Sequence, residues 1–164
     1  MAYTIRSAQA EDLPFLWEML YQAIYVPKEV ERPGHEILED PKIAKYLANW
    51  GQDHDYALIA VDDHDAPLGA IWIRRWDAAN HGWGYVDAVT PELVMAIRPE
   101  YRGQGIGSQL LDVIADYARR SGYAALSLSV DPRNEVAAQL YQRRGYQRVD
   151  RGDGGSWTMK KNLS

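Results

Sequence analysis

A glycine-rich stretch that follows an apolar run has the residue types of a phosphate-binding loop. The apolar residues 93–97 are followed by Pro99, by Arg102 and then by an amphipathic segment. The glycines of the stretch are Gly103, Gly105 and Gly107. Glycines allow the backbone to approach a ligand closely, and the free N–H groups in the first turn of a helix favour an anion. The stretch therefore predicts an anion site, although a strand-to-helix turn without a ligand would have the same composition.

A second polar pair lies seven residues apart on a predicted helix. Asn134 and Tyr141 fall in a segment that has the pattern of a loop, a helix and a glycine stop at Gly145. Seven residues are about two helical turns, or roughly 10 Å along the axis, so both side chains point to the same side. The amide suits a polar chain and the phenol can donate a proton, while an isolated tyrosine at this spacing is more often a core residue.

The two motifs together resemble the signatures of the GNAT superfamily of N-acyltransferases. The order Arg-x-x-Gly-x-Gly, which matches neither GxxxxGK[ST] nor GxGxxG, begins at Arg102 after a strand pattern. The order Asn-x-x-Ala-x-x-x-Tyr-x-x-x-Gly-Tyr covers residues 134–146. The resemblance implies an acetyl-CoA-dependent N-acetyltransferase that moves an acetyl group to a primary amine of a small molecule or a protein by direct attack in a ternary complex.

The resemblance also implies where acetyl-CoA would bind. The backbone of the fourth strand would pair with the pantetheine amides, the glycine loop would take the pyrophosphate, and Asn134 would hold the pantetheine arm. Tyr141 would stand near the thioester sulfur and protonate the departing thiolate, since a phenol is protonated at neutral pH. The implied cofactor-binding residues are Met95, Ala96, Ile97, Arg102, Gly103, Gln104, Gly105, Ile106, Gly107, Ser108, Asn134 and Tyr141.

The catalytic base has two carboxylate candidates. Glu92, at the mouth of the fourth strand, is the first, provided that the strand register turns its side chain toward the site. Asp87 is the second. Branches of the family that act on protein N-termini often carry a Glu five residues before the motif Asn, where this chain has Ser129, and this counts against such a substrate. The oxyanion of the reaction would accept a hydrogen bond from a backbone N–H of the fourth strand, near Met95 or Ala96.

Residues 78–91 are rich in glycine, asparagine, histidine and aromatic residues. Trp83 and Tyr85 beside Asp87 would line a pocket for a cationic amine, because aromatic faces and a carboxylate both attract a desolvated ammonium. The alternative is a loop whose aromatic residues cover the core. Both interpretations remain open from the sequence.

The elements that must position these residues form the fold that the resemblance implies. It is a mixed α/β fold with a strongly twisted mixed sheet of six or seven strands and about four helices, in which strands four and five splay apart to admit acetyl-CoA. Periodicity predicts helices at residues 10–25 and 109–121, and a weaker helical pattern at residues 37–50 that Pro41 interrupts. A further helix is predicted within residues 131–146, between a loop and a glycine stop. Strands are predicted at residues 3–6, 56–61, 68–76, 93–97 and 125–130, with two closing strands in residues 147–161 around a turn at 152–155.

Length and composition bound the fold and exclude several functions. The 164 residues, 46% of them hydrophobic, suffice for one well-buried core, which predicts a single domain over residues 1–164. The absence of cysteine excludes disulfides, a cysteine nucleophile and cysteine-ligated metals. The four scattered histidines lack ligand spacing, so no metal is predicted. No secretory leader and no apolar run of membrane-spanning length is recognised, which predicts a soluble cytoplasmic protein without a membrane partner.

The net charge of −5 is unevenly distributed. Residues 1–91 hold 7 Lys and Arg against 15 Asp and Glu, whereas residues 92–164 hold 11 against 8. The basic half suits a polyanionic cofactor such as acetyl-CoA, and the acidic half suits a cationic amine acceptor. No basic cluster interleaves with aromatic residues, which argues against nucleic acid. A homodimer is an expected assembly, and a non-catalytic acyl-CoA-binding sensor on the same scaffold is the alternative to an enzyme.

Overall fold

The computed structural model describes residues 2–151 and 155–164, which contain seven strands and four α-helices. The strands are β1 (Tyr3–Ser7), β2 (Tyr56–Asp62), β3 (Pro67–Arg74), β4 (Glu92–Ile97), β5 (Ala125–Val130), β6 (Gln147–Arg151) and β7 (Trp157–Asn162). The α-helices are α1 (Leu13–Ala23), α2 (Pro41–Ala44), α3 (Ile106–Arg120) and α4 (Glu135–Arg143). Short 3-10 turns cover Ala10–Asp12, His35–Glu39 and Pro99–Tyr101.

The strands form one seven-stranded sheet in the order β1-β2-β3-β4-β5-β7-β6. Neighbouring strands are antiparallel except β4 and β5, which run parallel. Among the described residues, β4 and β5 are joined at a single pair, Glu92 opposite Ser127. By contrast, every residue of β4 is paired with a residue of β3. Because Glu92 is the first residue of β4, the rest of the strand borders a gap. The predicted mixed sheet with splayed central strands is therefore confirmed.

Apolar side chains pack on both faces of this sheet. On one face α3 and α4 cover the core, and the predicted apolar stripe of α3 is buried there: Leu110, Leu111, Ile114, Ala115 and Ala118. On the other face α1 and the segment around α2 cover a second core that contains Ile59, Trp72 and Ala96. Successive residues of a strand point to opposite faces, so the register of β4 decides which of its side chains meets which layer.

Two predicted helices have different bounds in the structure. α3 begins three residues before its predicted start. Its N-cap is Gly105, which has a left-handed φ of 86°. The helix predicted at residues 37–50 is replaced by a 3-10 turn and the four-residue α2. Pro41 lacks an N–H and starts the new helix, and the Asp40 side chain accepts a hydrogen bond from the N–H of Lys42 at 3.0 Å.

The closing strands expected in residues 147–161 are present as β6 and β7, while residues 152–154 of the predicted turn lie outside the described part of the chain. Within residues 2–151 and 155–164, no helix is long and apolar enough to cross a membrane. The same residues contain no group of three His, Asp or Glu side chains that would hold a metal ion. The single-domain organisation and the absence of a metal stay predictions.

Candidate active site

The loop between β4 and α3 has the backbone conformation of an anion-binding turn. Gly103 and Gly105 have left-handed φ angles of 76° and 86°, and no heavy atom lies within 4 Å of the position that a Cβ would take on either residue. Gly105 directly precedes a helix of 15 residues, so the free N–H groups of its first turn lie next to this open space. Of the other loop residues, Gln104 is exposed, Ser108 is half-buried, and Ile106 and Gly107 are buried. The loop therefore combines backbone donors with the positive end of a helix dipole.

Arg102 lies beside this loop with its side chain turned back onto β4. Its Nε donates a hydrogen bond to the carbonyl oxygen of Ile97 at 3.0 Å. Burial and the neighbouring Arg32 guanidinium both lower the pKa of Arg102. Two positive charges thus lie near each other at the end of β4, where a bound anion would reduce their repulsion.

Two backbone hydrogen bonds determine which groups of β4 face the gap. The N–H of Arg98, directly after β4, donates to the carbonyl oxygen of Leu68 in β3 at 2.8 Å. The carbonyl oxygen of Pro91 accepts from the N–H of Ser127, in β5, at 3.0 Å. Backbone groups alternate in direction along a strand, so the even-numbered residues of β4 direct theirs toward β3 and the odd-numbered residues toward β5.

Met95 and Ile97 consequently direct their N–H groups into the gap, whereas Ala96 directs its N–H toward β3. The carbonyl oxygen of Ile97 is already bonded to Arg102. Of the two expected oxyanion donors, Met95 is therefore the one whose N–H faces the gap, and its role as a donor stays a prediction. The pairing of Met95, Ala96 and Ile97 with a pantetheine chain stays a prediction, and in this register it would use the backbone of Met95 and Ile97.

Helix α4 carries both polar residues of the second motif. Asn134 is the N-cap, and its Oδ1 accepts from the N–H of Ala137 at 3.3 Å. Its Nδ2 makes no hydrogen bond within the described residues, so it can still serve a ligand. Tyr141 is 8% exposed, and its ring lies edge-on to that of Tyr146, with the centroids 6.1 Å apart. Burial raises the pKa of Tyr141 to about 12, so the phenol keeps its proton at neutral pH.

Glu92 is the buried carboxylate of the site, with 2% of its surface exposed. Its Oε2 accepts from the hydroxyl of Tyr46 at 2.7 Å, and its Oε1 accepts from Nε1–H of Trp76 at 2.8 Å. The backbone N–H of Gly84 also lies close to the carboxylate and favours its ionised form. Burial raises the pKa of Glu92 to about 7, opposed by these hydrogen bonds and by Lys45. A carboxylate that titrates near neutral pH is well matched to proton transfer from an amine.

Glu92 and Tyr141 lie on opposite faces of the sheet. The partners of Glu92, Tyr46 and Trp76, belong to the core beneath α1 and α2, whereas Tyr141 belongs to the core beneath α3 and α4. The sheet separates these two cores, and the gap between β4 and β5 is the place where its strands diverge. A reacting group in the gap can therefore receive an acceptor from one face and release a leaving group toward the other.

The aromatic loop between β3 and β4 covers Glu92. The N–H of Trp83 donates to the hydroxyl of Tyr46 at 2.8 Å, and Trp83 and Tyr85 pack against the core on this face. A Cβ on Gly84 would lie 2.8 Å from the carboxylate of Glu92, which is closer than real Cβ contacts, so the approach of the loop requires glycine here. These contacts favour the interpretation of the loop as a cover for the core.

Asp87, the second base candidate, bonds to its own turn. Its Oδ1 accepts from the N–H of Val89 at 3.0 Å, and Thr90 donates further hydrogen bonds. Partial burial opposes ionisation of Asp87, but these hydrogen bonds together with Lys160 outweigh it and lower its pKa. A carboxylate with a lowered pKa is a weaker base, so Glu92 is favoured over Asp87 as the candidate base.

Tyr46 and Trp76 were not indicated by the sequence. Tyr46 falls in the least regular helical pattern of the chain, and Trp76 ends a predicted strand, so each has the appearance of an ordinary core residue. The sequence feature that could have indicated such partners is Glu92 itself. A carboxylate that starts a buried strand needs hydrogen-bond donors from elsewhere in the chain.

Residues 17–146 match the family model described as the acetyltransferase (GNAT) family. The chain belongs to this family. It is accordingly an acyltransferase that uses acetyl-CoA, and the two motifs at residues 102–107 and 134–146 lie inside the matched range.

Curated relatives of this GNAT chain differ in length. A Bacillus subtilis (strain 168) protein, provisionally named ribosomal protein bS18 alanine N-acetyltransferase, is 30% identical over 143 residues, which are 87% of this chain and 80% of that protein. A mycothiol acetyltransferase of Renibacterium salmoninarum is 34% identical over 94 residues, or 57% of this chain. The aligned segment is 26% of that relative, about a quarter of its length.

Solved GNAT structures share the fold over the full length of the chain. The PaiA N-acetyltransferase of Thermoplasma acidophilum, in complex with coenzyme A, has a TM-score of 0.69 at 24% identity and covers 99% of both chains. An N-acetyltransferase of Staphylococcus aureus Mu50 has a TM-score of 0.72 at 19% identity and covers 100% of both. At these identities the likeness establishes the fold.

Proposed function

We propose that this enzyme transfers the acetyl group of acetyl-CoA to a primary amine by direct attack in a ternary complex. The observation that carries the proposal is the gap between β4 and β5, with Glu92 on one face of the sheet and Tyr141 on the other. Acetyl-CoA supplies the acetyl group as a thioester. The chain offers matching groups: the carbonyl oxygen of Met95 and the N–H of Ile97 for the pantetheine amides, and the loop at residues 103–108 for the pyrophosphate.

The proposed steps use one residue each for base, oxyanion donor and acid. Glu92 accepts a proton from the ammonium of the acceptor, so that the nitrogen lone pair can form a bond to the thioester carbon. The N–H of Met95 donates to the carbonyl oxygen as negative charge develops there. Tyr141 donates its proton to the sulfur as the C–S bond breaks. As the amide bond is completed, the nitrogen loses its second proton to solvent. The products are an amide and the CoA thiol; Glu92 then releases its proton to solvent, and Tyr141 takes one up, so that both return to their initial states.

The proposed acceptor is a primary amine of a small molecule or a protein. At pH 7.4 a lysine-like amine is neutral to only about one part in a thousand and an α-amino group to roughly a third, so strongly basic acceptors depend most on Glu92. The names of the relatives include an alanine of a ribosomal protein and mycothiol, whereas Ser129 argues against a protein N-terminus. A cationic acceptor, a homodimer and a cytoplasmic location stay predictions.

The reaction is tested by release of free thiol from acetyl-CoA over a panel of amines. The panel contains a peptide with an N-terminal alanine, a lysine derivative, a polyamine and an amino sugar, and mass spectrometry identifies the acetylated product. We expect turnover with at least one of these amines. Tight binding of acetyl-CoA without turnover of any amine would contradict the proposal and support the acyl-CoA-binding sensor.

The pyrophosphate site is tested by a matched pair of substitutions at the two ends of α3. Gly105 and Gly122 have φ angles of 86° and 94° with open space at the Cβ position, so Gly105→Ala and Gly122→Ala each add strain of about 1–2 kcal/mol. Gly105→Ala alone should weaken acetyl-CoA binding, by about tenfold or more, because its methyl group occupies the proposed anion site. Calorimetry measures the affinity for acetyl-CoA, and thermal unfolding measures the stability of each variant. Equal affinities in both folded variants would contradict the assignment of the pyrophosphate site to this loop.

A further inference from the structure

Three polar groups from separate parts of the chain surround the Glu92 carboxylate. Tyr46 follows α2, Trp76 follows β3, and Gly84 belongs to the loop between β3 and β4. Tyr46 and Trp76 are themselves held by the core, with exposed fractions of 4% and 8% and ring centroids 5.3 Å apart in an edge-to-face contact. Their side chains therefore have little freedom to turn away from the carboxylate.

We propose that Tyr46 and Trp76 are positioning residues of the reaction, which hold the Glu92 carboxylate in one orientation and keep it able to ionise inside the core. The inference rests on the proposed function, because both residues act through Glu92 as the base. A carboxylate has about four acceptor positions, and Tyr46 and Trp76 each take one of them, on different oxygens. A position that they leave open is the one at which Glu92 receives the proton of the acceptor, directly or through one water molecule.

The charges around the carboxylate support the same arrangement. Burial disfavours the ionised form of Glu92, and the hydrogen bonds from Tyr46 and Trp76 stabilise it. Burial and the charge of Glu92 raise the pKa of Tyr46 well above its ordinary value, so this phenol stays a donor over the working pH range. Among the described residues, Lys45 is the other titratable group that acts on Glu92, and its Nζ donates to the carbonyl oxygen of His81 at 2.7 Å.

A structural role for the same contacts would be to anchor the loop between β3 and β4 over the core. Loss of one donor would then lower the stability of the protein and leave the pH dependence of the reaction unchanged. A positioning role requires that the proton affinity of Glu92 changes as well. The two roles are separated by measuring the ionisation of Glu92 and the pH profile in the same variants.

The test uses Tyr46→Phe and Trp76→Phe, each of which removes one donor and keeps an aromatic ring. Carbon-13 NMR of labelled glutamate carboxyl groups, with the Glu92 signal assigned through Glu92→Gln, follows its titration. We expect the pKa of Glu92 and the acid limb of the kcat profile to move together, by about one pH unit upward, because a hydrogen bond to the ionised form is lost. Turnover at neutral pH should fall about fivefold, recover at high pH, and leave the KM for acetyl-CoA unchanged.

Tyr56→Phe is the control, because Tyr56 bonds through its hydroxyl to Ser7 at 2.7 Å in a different part of the sheet. It should change neither the titration of Glu92 nor the acid limb. If Tyr46→Phe does not fold, Trp76→Phe tests the same proposal from the other carboxylate oxygen. An unchanged titration of Glu92 in a folded Tyr46→Phe or Trp76→Phe would overturn the proposal.

The outcomes also separate this inference from the proposed base. Loss of turnover in Glu92→Gln, with no change of the Glu92 titration in the donor variants, would overturn the positioning role alone. Wild-type turnover in Glu92→Gln would remove Glu92 as the base, whatever the donor variants do to its titration. A joint shift of the titration and the acid limb supports both.

Discussion

Replacing Glu92 by glutamine is expected to lower kcat by on the order of 10²–10⁴-fold with a strongly basic amine, since a positioned general base typically contributes that much. Glutamine keeps the size of the side chain and cannot take up a proton. Because the pKa of Glu92 is about 7, the parent should gain activity as pH rises through 7 and Glu92 ionises, and the variant should lose this acid limb. Thiol release measured from about pH 5.5 to about pH 9 checks both effects.

The companion variant for this prediction is Asp87→Asn. The Asp87 carboxylate accepts hydrogen bonds from its own turn, so its replacement should leave kcat within a few-fold of the parent. An acceptor of low pKa should also lessen the defect of Glu92→Gln, because more of it is already neutral. A larger loss in Asp87→Asn than in Glu92→Gln would assign the base to Asp87.

Tyr141→Phe is expected to lower turnover by about 10²–10³-fold while acetyl-CoA affinity and stability are nearly kept. Phenylalanine preserves the ring in the core beneath α3 and α4 and removes the proton donor for the departing sulfur. A thiol has a pKa much nearer neutrality than an alcohol, so the loss should lie toward the lower end of this range. Single-turnover thiol release with a good acceptor, together with calorimetry of acetyl-CoA binding, measures the two quantities.

Tyr146→Phe is the matched control, because Tyr146 lies beside Tyr141 in the same core and is 1% exposed. Its hydroxyl is buried and has no hydrogen-bond partner among the described residues, so removing it should be neutral or slightly stabilising. Turnover of Tyr146→Phe should stay close to that of the parent. Equal losses in the two variants would mean that packing of the shared core, and not proton donation by Tyr141, supports the reaction.

Features that depend on neighbouring residues in the chain could be predicted well from the sequence. The glycine loop follows from the left-handed φ of Gly103 and Gly105, which glycine adopts without strain. The separation of Asn134 and Tyr141 follows from the helical rise. The sheet followed from the resemblance, which supplied an order of strands that periodicity alone does not determine. The weak helical pattern at residues 37–50 forms only a 3-10 turn and the four-residue α2, because Pro41 interrupts it as the sequence indicated.

The sequence by itself determined the family, and it supplied the glycine loop proposed to bind acetyl-CoA and the candidate acid Tyr141, since these lie in contiguous motifs whose local backbone geometry does not depend on distant residues. Tertiary structure alone decided the environment of Glu92. Its donors Tyr46 and Trp76 lie 46 and 16 residues away in the chain, and pairing of β3 with β4 and packing of the α2 segment bring them together. The choice of Met95 over Ala96 as the oxyanion donor likewise depends on register, because a shift of one residue between two strands reverses every backbone group and side chain.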